Sequence, residues 1–510
     1  MTRTKKMIWN SVSSGIQVIF SIVVGLVIPR LIIGYYGSEL NGLTVSIKQF
    51  VAYLAYLEAG LGASFIYSLF KPLSKNDKSE INEIVSQARR SYVRTSIYYL
   101  IGVAILSSIY PFIINSDEIS YIFAFILVFS IGVAGVFELQ TLSKYKVILV
   151  ADQKVYIISF TSLITLVFNL IFTIILVKIH ASIIFVMLIP LISLFVRVII
   201  LNLYVKKHYS YINYKGKSIK KASKKRFDAM LMEVSKSINL TLPVIVITIF
   251  GSLSTISVYS IYAIIFSGLK KILHVITSGV VSTFGNIIAK EETEILKKTI
   301  SEYSTILFFT ISFLYSCALI LIIPFLTIYL SGIPDSSIYI NLVYGILFVA
   351  WGLSHNARLS YTSLIEGAGL YKESRKANIF QIIFITIFLL AFVPTYGITG
   401  ALIVLIVGAT IKTVWLIGVV RKYVIKLSIF SIFSLVMRSI LVIFISYIPF
   451  IFWFKLNPQN VIEFVFDAVI VGLWVLVISM LNLLLFDRKN LKAIISRFYN
   501  LVYKKKERKC

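Results

Sequence analysis

Fourteen apolar stretches, each long enough to cross a bilayer, follow one another along the chain. They occupy 8–33, 41–70, 95–114, 119–142, 155–178, 182–205, 228–250, 255–287, 302–329, 338–370, 378–393, 397–420, 429–454 and 461–486. A hydrocarbon core of about 30 Å takes roughly 20 apolar residues in helix to cross. Runs such as 121–135 and 379–393 show no period-two alternation, and backbone groups in lipid must bond within their own segment or a closed barrel. The pattern therefore predicts an all-α integral membrane protein of about fourteen transmembrane helices. The connections on one side, at 34–40, 115–118, 179–181, 251–254, 331–337, 394–396 and 455–460, are too short to hold a domain.

The one sizeable break on the other side, 206–227, carries nine Lys and Arg. It divides the pattern into an N-terminal lobe of six spans (1–205), a basic cytoplasmic linker (206–227), a second lobe of six (228–420), two further spans (421–486) and a tail (487–510). Six is even, so the two lobes would share one orientation, a parallel repeat about an axis along the membrane normal. Tyr36-Gly37-Ser38 in the first outer turn has an echo in Phe250-Gly251-Ser252 at the corresponding turn of the second half. The tail places Leu491, Ile494, Ile495, Phe498, Leu501 and Val502 on one helical face among basic residues. That suits either a helix lying on an anionic leaflet or a solvated basic tail.

Composition agrees with the pattern: 58% hydrophobic, 14% charged, mean hydropathy +0.91. The formal charge of +28 changes the picture only once it is placed. Of the 50 Lys and Arg, 39 fall in eight segments that all lie on one side, whereas Glu39, Asp117, Glu118 and Asp335 lie on the other. This is the positive-inside distribution, so both termini are expected in the cytoplasm and the basic balance reflects topology rather than nucleic-acid binding. The run after Met1 continues to Ile33 without a small-residue cleavage site, which reads as an uncleaved first span. Cys317 and Cys510 make no disulfide framework.

Polar residues recur at helical spacing inside the spans. Asn10, Ser14, Gln17 and Ser21 share a face of the first span, and Ser162, Thr165, Asn169 and Thr173 share one of the fifth. Such stripes either bond neighbouring helices or line a cavity. Charges are costlier. Lys178, Arg197, Lys236, Lys455, Arg438 and Lys412 fall near span ends, where long side chains snorkel to the headgroups. Arg30, Lys48, His274 and His355 are further charged or ionisable groups within the spans, and snorkelling fits Lys270, Lys271 and Arg358 badly, since these three sit near mid-span. Each costs roughly 2.5–3.5 kcal/mol at bilayer centre on insertion scales. A hydrated cavity holding an anion would offset that cost, and so would structural ion pairs. Glu58 and Glu138 are intramembrane acids, readable as proton or cation coupling groups or as salt-bridge partners. The centre is cationic on balance, which suits a phosphate or pyrophosphate.

Gly216-Lys217-Ser218 lacks the earlier glycine of a phosphate-binding loop, since Tyr211 stands in its place. The four histidines lack metal-ligand spacing. No cofactor, metal or enzymatic activity is expected.

Residues 28–43, Ile-Pro-Arg-Leu-Ile-Ile-Gly-Tyr-Tyr-Gly-Ser-Glu-Leu-Asn-Gly-Leu, resemble the first outer turn of bacterial Wzx-type polysaccharide flippases of the multidrug/oligosaccharidyl-lipid/polysaccharide (MOP) exporter superfamily. Leu57-Glu58-Ala59-Gly60-Leu61-Gly62 resembles the glycine-rich half of their second span. The layout of six, six and two spans is also similar. The resemblance implies an alternating-access carrier in the bacterial cytoplasmic membrane that moves undecaprenyl-diphosphate-linked oligosaccharide between leaflets. Polymerase or glycosyltransferase partners would follow, and the last two spans would help form a groove for the polyprenyl tail. In that family the first two spans of each lobe line the cavity, and here they contain Arg30, Lys48, Lys270 and Lys271. A lipid II flippase, an ion-coupled exporter of cationic drugs and a membrane polymerase are the alternatives.

Overall fold

The computed structural model describes the backbone of the chain except residues 1–2, 59–60, 115, 117–118, 142, 215–225, 427–428, 494 and 497–510. Side chains are described except at these positions and at 3–5, 7, 63, 226–236, 275–276, 278 and 429–432. Most of the expected amphipathic tail, the acidic pair Asp117 and Glu118, the side chain of Lys236 and the middle of the basic linker thus lie outside the described residues.

Among the described residues there is no strand. The helices are α1 (Arg3–Leu54), α2 (Leu61–Lys75), α3 (Lys78–Ile109), α4 (Tyr121–Thr141), α5 (Ser143–Ala151), α6 (Val155–Lys178), α7 (Ile183–His208), α8 (Arg226–Phe250), α9 (Leu253–Ser278), α10 (Val280–Ala289), α11 (Thr293–Tyr329), α12 (Leu342–Asn356), α13 (Leu359–Gly367), α14 (Tyr371–Tyr423), α15 (Ile429–Phe452) and α16 (Val461–Phe486). Among the described residues, ten helical stretches are long and apolar enough to cross a membrane.

Two of those stretches, Ile8–Glu58 and Tyr371–Tyr423, hold 51 and 53 residues. Straight helices of that length would run about 75–80 Å, more than twice the hydrocarbon thickness. Each is interrupted by one glycine outside helical geometry, Gly37 at φ 86° and Gly397 at φ 54°. A Cβ is disfavoured at such positive φ, so glycine permits the break with almost no connecting loop. Each stretch is thus divided into two parts, at residue 37 inside the expected connection 34–40 and at residue 397, one residue past the expected connection 394–396.

Other boundaries differ from the sequence reading. Helix α3 begins at Lys78 rather than near residue 95, because Asp77 caps it by accepting from the Ser79 and Glu80 amides and because Ile81 and Val85 bury one face of the extension. The expected loop 143–154 contains α5, whose Val147, Ile148 and Leu149 are buried although the run is too short to span. The expected tenth span is broken at Ala357–Arg358 into α12 and α13, and the eighth at Gly279 into α9 and α10.

The chain forms two compact units. The first comprises Met1–Ile264 with Val393–Gly397, and the second Ile265–Phe392 with Ile398–Cys510. The first unit thus runs past the anticipated lobe boundary to take in α8 and the start of α9. Its cause is a close junction. A Cβ on Gly42 would stand 1.8 Å from the Leu253 carbonyl oxygen, so only glycine lets α1 approach α9 this closely. Buried hydrogen bonds flank the glycine: Asn41 Nδ2 to Ser257 Oγ at 2.7 Å, and Ser46 Oγ with Thr248 Oγ1 at 2.7 Å, with Tyr110 donating to Ser46 at 2.8 Å. The segments that follow the two echoed turns, at Gly37 and Gly251, therefore meet.

Elsewhere in this unit α1 lies along α6, α3 along α4, and α4 and α6 against α7. Asp152, in the turn before α6, ties three elements. Lys6 donates to its Oδ1 at 3.0 Å, Lys154 pairs with Oδ2 at 2.9 Å, and the Tyr209 hydroxyl donates to Oδ2 at 2.5 Å. Burial pushes the Asp152 carboxyl up, but these hydrogen bonds and the Lys154 charge outweigh it and hold the group below the ordinary carboxylate range.

In the second unit α11 is the central post, packed by α12, α15 and α16, while α10 crosses α13. Helix α16 buries Val471, Val475 and Ser479, one stripe at i, i+4 and i+8, and turns Ile462, Phe466, Leu473 and Leu485 outward. Large apolar side chains at that exposure suit a helix solvated by lipid rather than water.

Two outcomes test these contacts. Gly42→Val should lower the melting temperature in detergent, the overpacking costing about 1–3 kcal/mol. Gly15→Ala, at a position with open space around its Cβ, should leave it unchanged, and equal melting of both variants would refute the junction. Because Asp152 titrates below its unfolded value, its stabilisation is complete above roughly pH 4 and fades as pH falls through the lowered folded value. Asp152→Asn should therefore melt lower than the parent at neutral pH and converge with it in acid.

Candidate functional site

The densest gathering of buried polar groups in the second unit surrounds the break between α12 and α13. His355 and Asn356 close α12, and Arg358 opens α13 without a side-chain cap of its own. His355 and Arg358 are 5% and 6% exposed. One guanidinium nitrogen, Nη2, lies 3.1 Å from His355 Nδ1 and 3.2 Å from Nε2, so it meets the ring as a whole rather than one lone pair. The other, Nη1, is buried with no hydrogen-bond partner, and Arg358 makes no ion pair among the described residues.

Two further cations join it. Lys412, on the second half of α14, is 6% exposed and donates to Gln381 Oε1 on the first half at 2.7 Å. Lys270 lies one helical turn beyond Phe266 on α9, on the same face. Phe266 is fully packed against Tyr315 of α11 and Phe348 of α12, with ring centroids 5.9 and 5.3 Å apart. That packing turns Lys270 toward the same region. The charges that act on His355 are those of Arg358, Lys270 and Lys412, all positive. Tyr315 supports the site from below by accepting from Asn356 Nδ2 at 2.7 Å, and Trp351 packs against the His355 ring at 5.7 Å.

Lys412 is a correction to the sequence reading, which sent it to the headgroups. Helix α14 runs on to Tyr423, so Lys412 sits about 16 Å from the helix end, beyond the reach of snorkelling. Gln381 was passed over too. Its signal was a polar residue within an otherwise apolar run.

The other expected substrate contacts are dispersed. Lys271 and His274 are exposed on α9. Arg30 and Lys48, in the first unit, are exposed and make no bond among the described residues. The stripe on α1 is divided. Asn10 donates to the Gln153 carbonyl at 2.9 Å and accepts from the Tyr156 amide, and Ser14 meets Ser159 at 3.2 Å, so both serve the packing of α1 on α6. Gln17 and Ser21 are half-buried, and Ser21 donates back to the Val18 carbonyl.

The two acids also part company. Glu138 is ion-paired with Lys146 on α5. Arg197, expected at the headgroups, instead bonds Ser162 at 2.6 Å and acts on Glu138. Glu58, at the end of a short 3-10 turn after α1, is within electrostatic range of Lys146 and Glu138 but makes no bond among the described residues. Among the described residues no group of three or more His, Cys, Asp and Glu could hold a metal ion.

Beside the same helical turns lies an apolar groove of 720 Å³. Ser354 and Ala357 line it beside His355 and Arg358, and Thr413 lines it beside Lys412. Its far wall is α15, through residues such as Ile440, Phe444 and Tyr447.

No protein-family profile matches the chain, and no curated protein matches it. Solved structures do. A structure of the lipid II flippase MurJ in an inward closed conformation aligns with a TM-score of 0.68 and 15% identity, covering 93% of this chain and 98% of that one. The chain has the fold of the MOP-superfamily transporters. An inward-facing multidrug resistance MATE family transporter of that superfamily aligns at 0.61 with 14% identity, covering 79% and 94%. A MOP-superfamily transporter from Pyrococcus furiosus, whose structure is described as having a binding pocket of reverse polarity, aligns at 0.59 with 14% identity, covering 83% and 97%.

A buried cation held only for structure should be missed when removed. One held for a ligand should not. Arg358→Met is therefore expected to melt at or above the parent temperature in detergent, since replacing buried charge by apolar volume is neutral or stabilising by about 1–4 kcal/mol. A fall of several degrees would make Arg358 a structural group.

Proposed function

We propose that this chain is a flippase that moves an undecaprenyl-diphosphate-linked oligosaccharide from the inner to the outer leaflet of a bacterial cytoplasmic membrane, for capsule, O-antigen or exopolysaccharide assembly. The observation that carries the reading is the ring of like charges around His355, with Arg358 Nη1 left unbonded at its centre. Cations gathered at membrane depth are mutually repulsive and costly to insert. A diphosphate would offset both costs at once, and guanidinium and ammonium groups are the donors that suit it. Arg358, Lys412 and Lys270 would hold the diphosphate, with Lys271, Arg30 and Lys48 along its route. The apolar groove beside the same turns suits the polyprenyl tail, which stays in a lipid-like medium while the head crosses.

The arrangement rests on fourteen passes with both termini and the basic loops in the cytoplasm, an orientation supported by the placement of 39 of the 50 Lys and Arg. A lipid II flippase shares the diphosphate and the tail, and differs only in the sugar head. An exporter of cationic drugs shares the fold, but a cation cargo is repelled by this cluster.

Arg358→Ala and Lys412→Ala, expressed in a strain depleted of its own flippase, should cut polysaccharide export about tenfold to a hundredfold, the worth of one charge-assisted hydrogen bond. The undecaprenyl-linked unit should then accumulate in the inner leaflet while the protein remains in the membrane. Undiminished export by both variants would sink the reading. Restored growth of a strain lacking its lipid II flippase would transfer it to the peptidoglycan precursor.

A further inference from the structure

A second cationic site lies in the first unit, well apart in the chain from the transport cluster. Residues 209–214, which follow α7, are strapped across the basic-side end of α3. Asn82 Nδ2 donates to the Tyr211 carbonyl at 3.0 Å and Asn82 Oδ1 accepts from the Asn213 amide at 2.7 Å. Ser86 donates to the Asn213 carbonyl at 2.8 Å, and Arg89 Nη1 to the Tyr214 carbonyl at 3.4 Å. The strap fixes Tyr214 edge-on to Tyr145 of α5, ring centroids 5.9 Å apart. Tyr145 in turn donates to Asn202 Oδ1 on α7 at 3.0 Å.

Lys144 stands over both rings, 4.9 Å from the centre of Tyr145 and 5.5 Å from that of Tyr214. Burial and the nearby Arg89 guanidinium push its ammonium below the ordinary lysine range, and no carboxylate acts on it. Neither Lys144 nor Arg89 makes an ion pair among the described residues. The Tyr214 hydroxyl is buried with no hydrogen-bond partner. Two half-buried like charges and an idle hydroxyl gather at the strap, and no carboxylate among the described residues answers them. Packing alone does not explain that. A lysine covering two aromatic rings gains from the rings, but the second cation subtracts from the gain, and the hydroxyl remains unbonded.

We infer that Lys144, Arg89 and the Tyr214 hydroxyl form a binding site for the phosphodiester headgroup of an anionic phospholipid in the leaflet on the side of the basic loops. The headgroup oxygens accept from Lys144, from Arg89 and from Tyr214, while the Tyr145 ring closes the apolar side. The acyl chains lie along α7, where Ile199 and Leu203, flanking Asn202, are 58% and 62% exposed. Asn202 is six residues from the end of α7 at His208, about 9 Å along the axis, which is headgroup depth. Basic pockets between transmembrane helices are a general means of holding acidic lipid headgroups.

Thermal unfolding and native mass spectrometry of the full chain in detergent test the site, with phosphatidylglycerol, phosphatidylethanolamine and inorganic phosphate as separate additions. Phosphatidylglycerol should raise the melting temperature and remain bound, and phosphatidylethanolamine should do neither. Lys144→Ala with Arg89→Ala should weaken the phosphatidylglycerol effect by about tenfold or more in concentration, each surface cation being worth several-fold. Tyr214→Phe removes one oxygen without altering the fold and should weaken it several-fold, which decides the matter if the double variant does not fold. If inorganic phosphate alone matches phosphatidylglycerol, the site stands and its occupant is a soluble phosphate. No response to phosphatidylglycerol in the parent, or an undiminished response in Tyr214→Phe and the double variant, overturns it.

Discussion

A charge inside a membrane-spanning bundle has three ways to exist: beside an opposite charge, within hydrogen bonds, or facing water and a ligand. Both units of this chain pair opposite charges. In the first, three such contacts among the described residues hold helices together. Glu138 pairs with Lys146, Arg197 bonds Ser162 near Glu138, and Asp152 binds Lys6 and Lys154 together. In the second, Arg438 pairs with Asp487, while like charges are also brought together around His355, and the proposed affinity for an anion rests on that gathering.

Helix breaks decide where that affinity sits. Gly37 and Gly397 are breaks of economy, each reversing a long helix with a single residue. The interruption at Ala357–Arg358 belongs to a different kind, because ionisable side chains, His355 and Arg358, flank it. A broken helix frees backbone groups and lets a side chain leave the regular helical surface, which is why discontinuous helices recur at the binding sites of transporters. Arg358 reaches the interior because it opens α13 rather than continuing α12.

The apolar spans, the helix class and the one-sided basic loops were legible because each is a one-dimensional property of the sequence. So was the candidacy of His355, Arg358 and Lys270, since charge at mid-span is visible without coordinates. What escaped the sequence depends on three-dimensional neighbours. Lys412 was misjudged because its helix runs three residues past the expected end at 420, to Tyr423. The stripe of Asn10 and Ser14 has the same spacing whether it faces a cavity or α6, and only the position of Gln153, Tyr156 and Ser159 separates the two. Helix α5 was invisible because nine residues are too few to span and a loop was the default. The strap at 209–214 has no periodic signature at all, being held by side chains far away in sequence.

On the proposed reading, cations and groove that share neighbouring turns at the α12–α13 break limit the cargo further than either feature does alone. A soluble anion would be met by the cations but would leave the 720 Å³ of apolar groove without purpose. A purely apolar ligand would fill the groove but leave buried charge uncompensated. An amphiphile, with an anionic head and a long apolar chain, would answer both features. Its transfer would also be the least costly in physical terms: the chain would never leave a medium of its own polarity, and the large desolvation cost would fall only on the proposed diphosphate, whose water Arg358, Lys412 and Lys270 would replace.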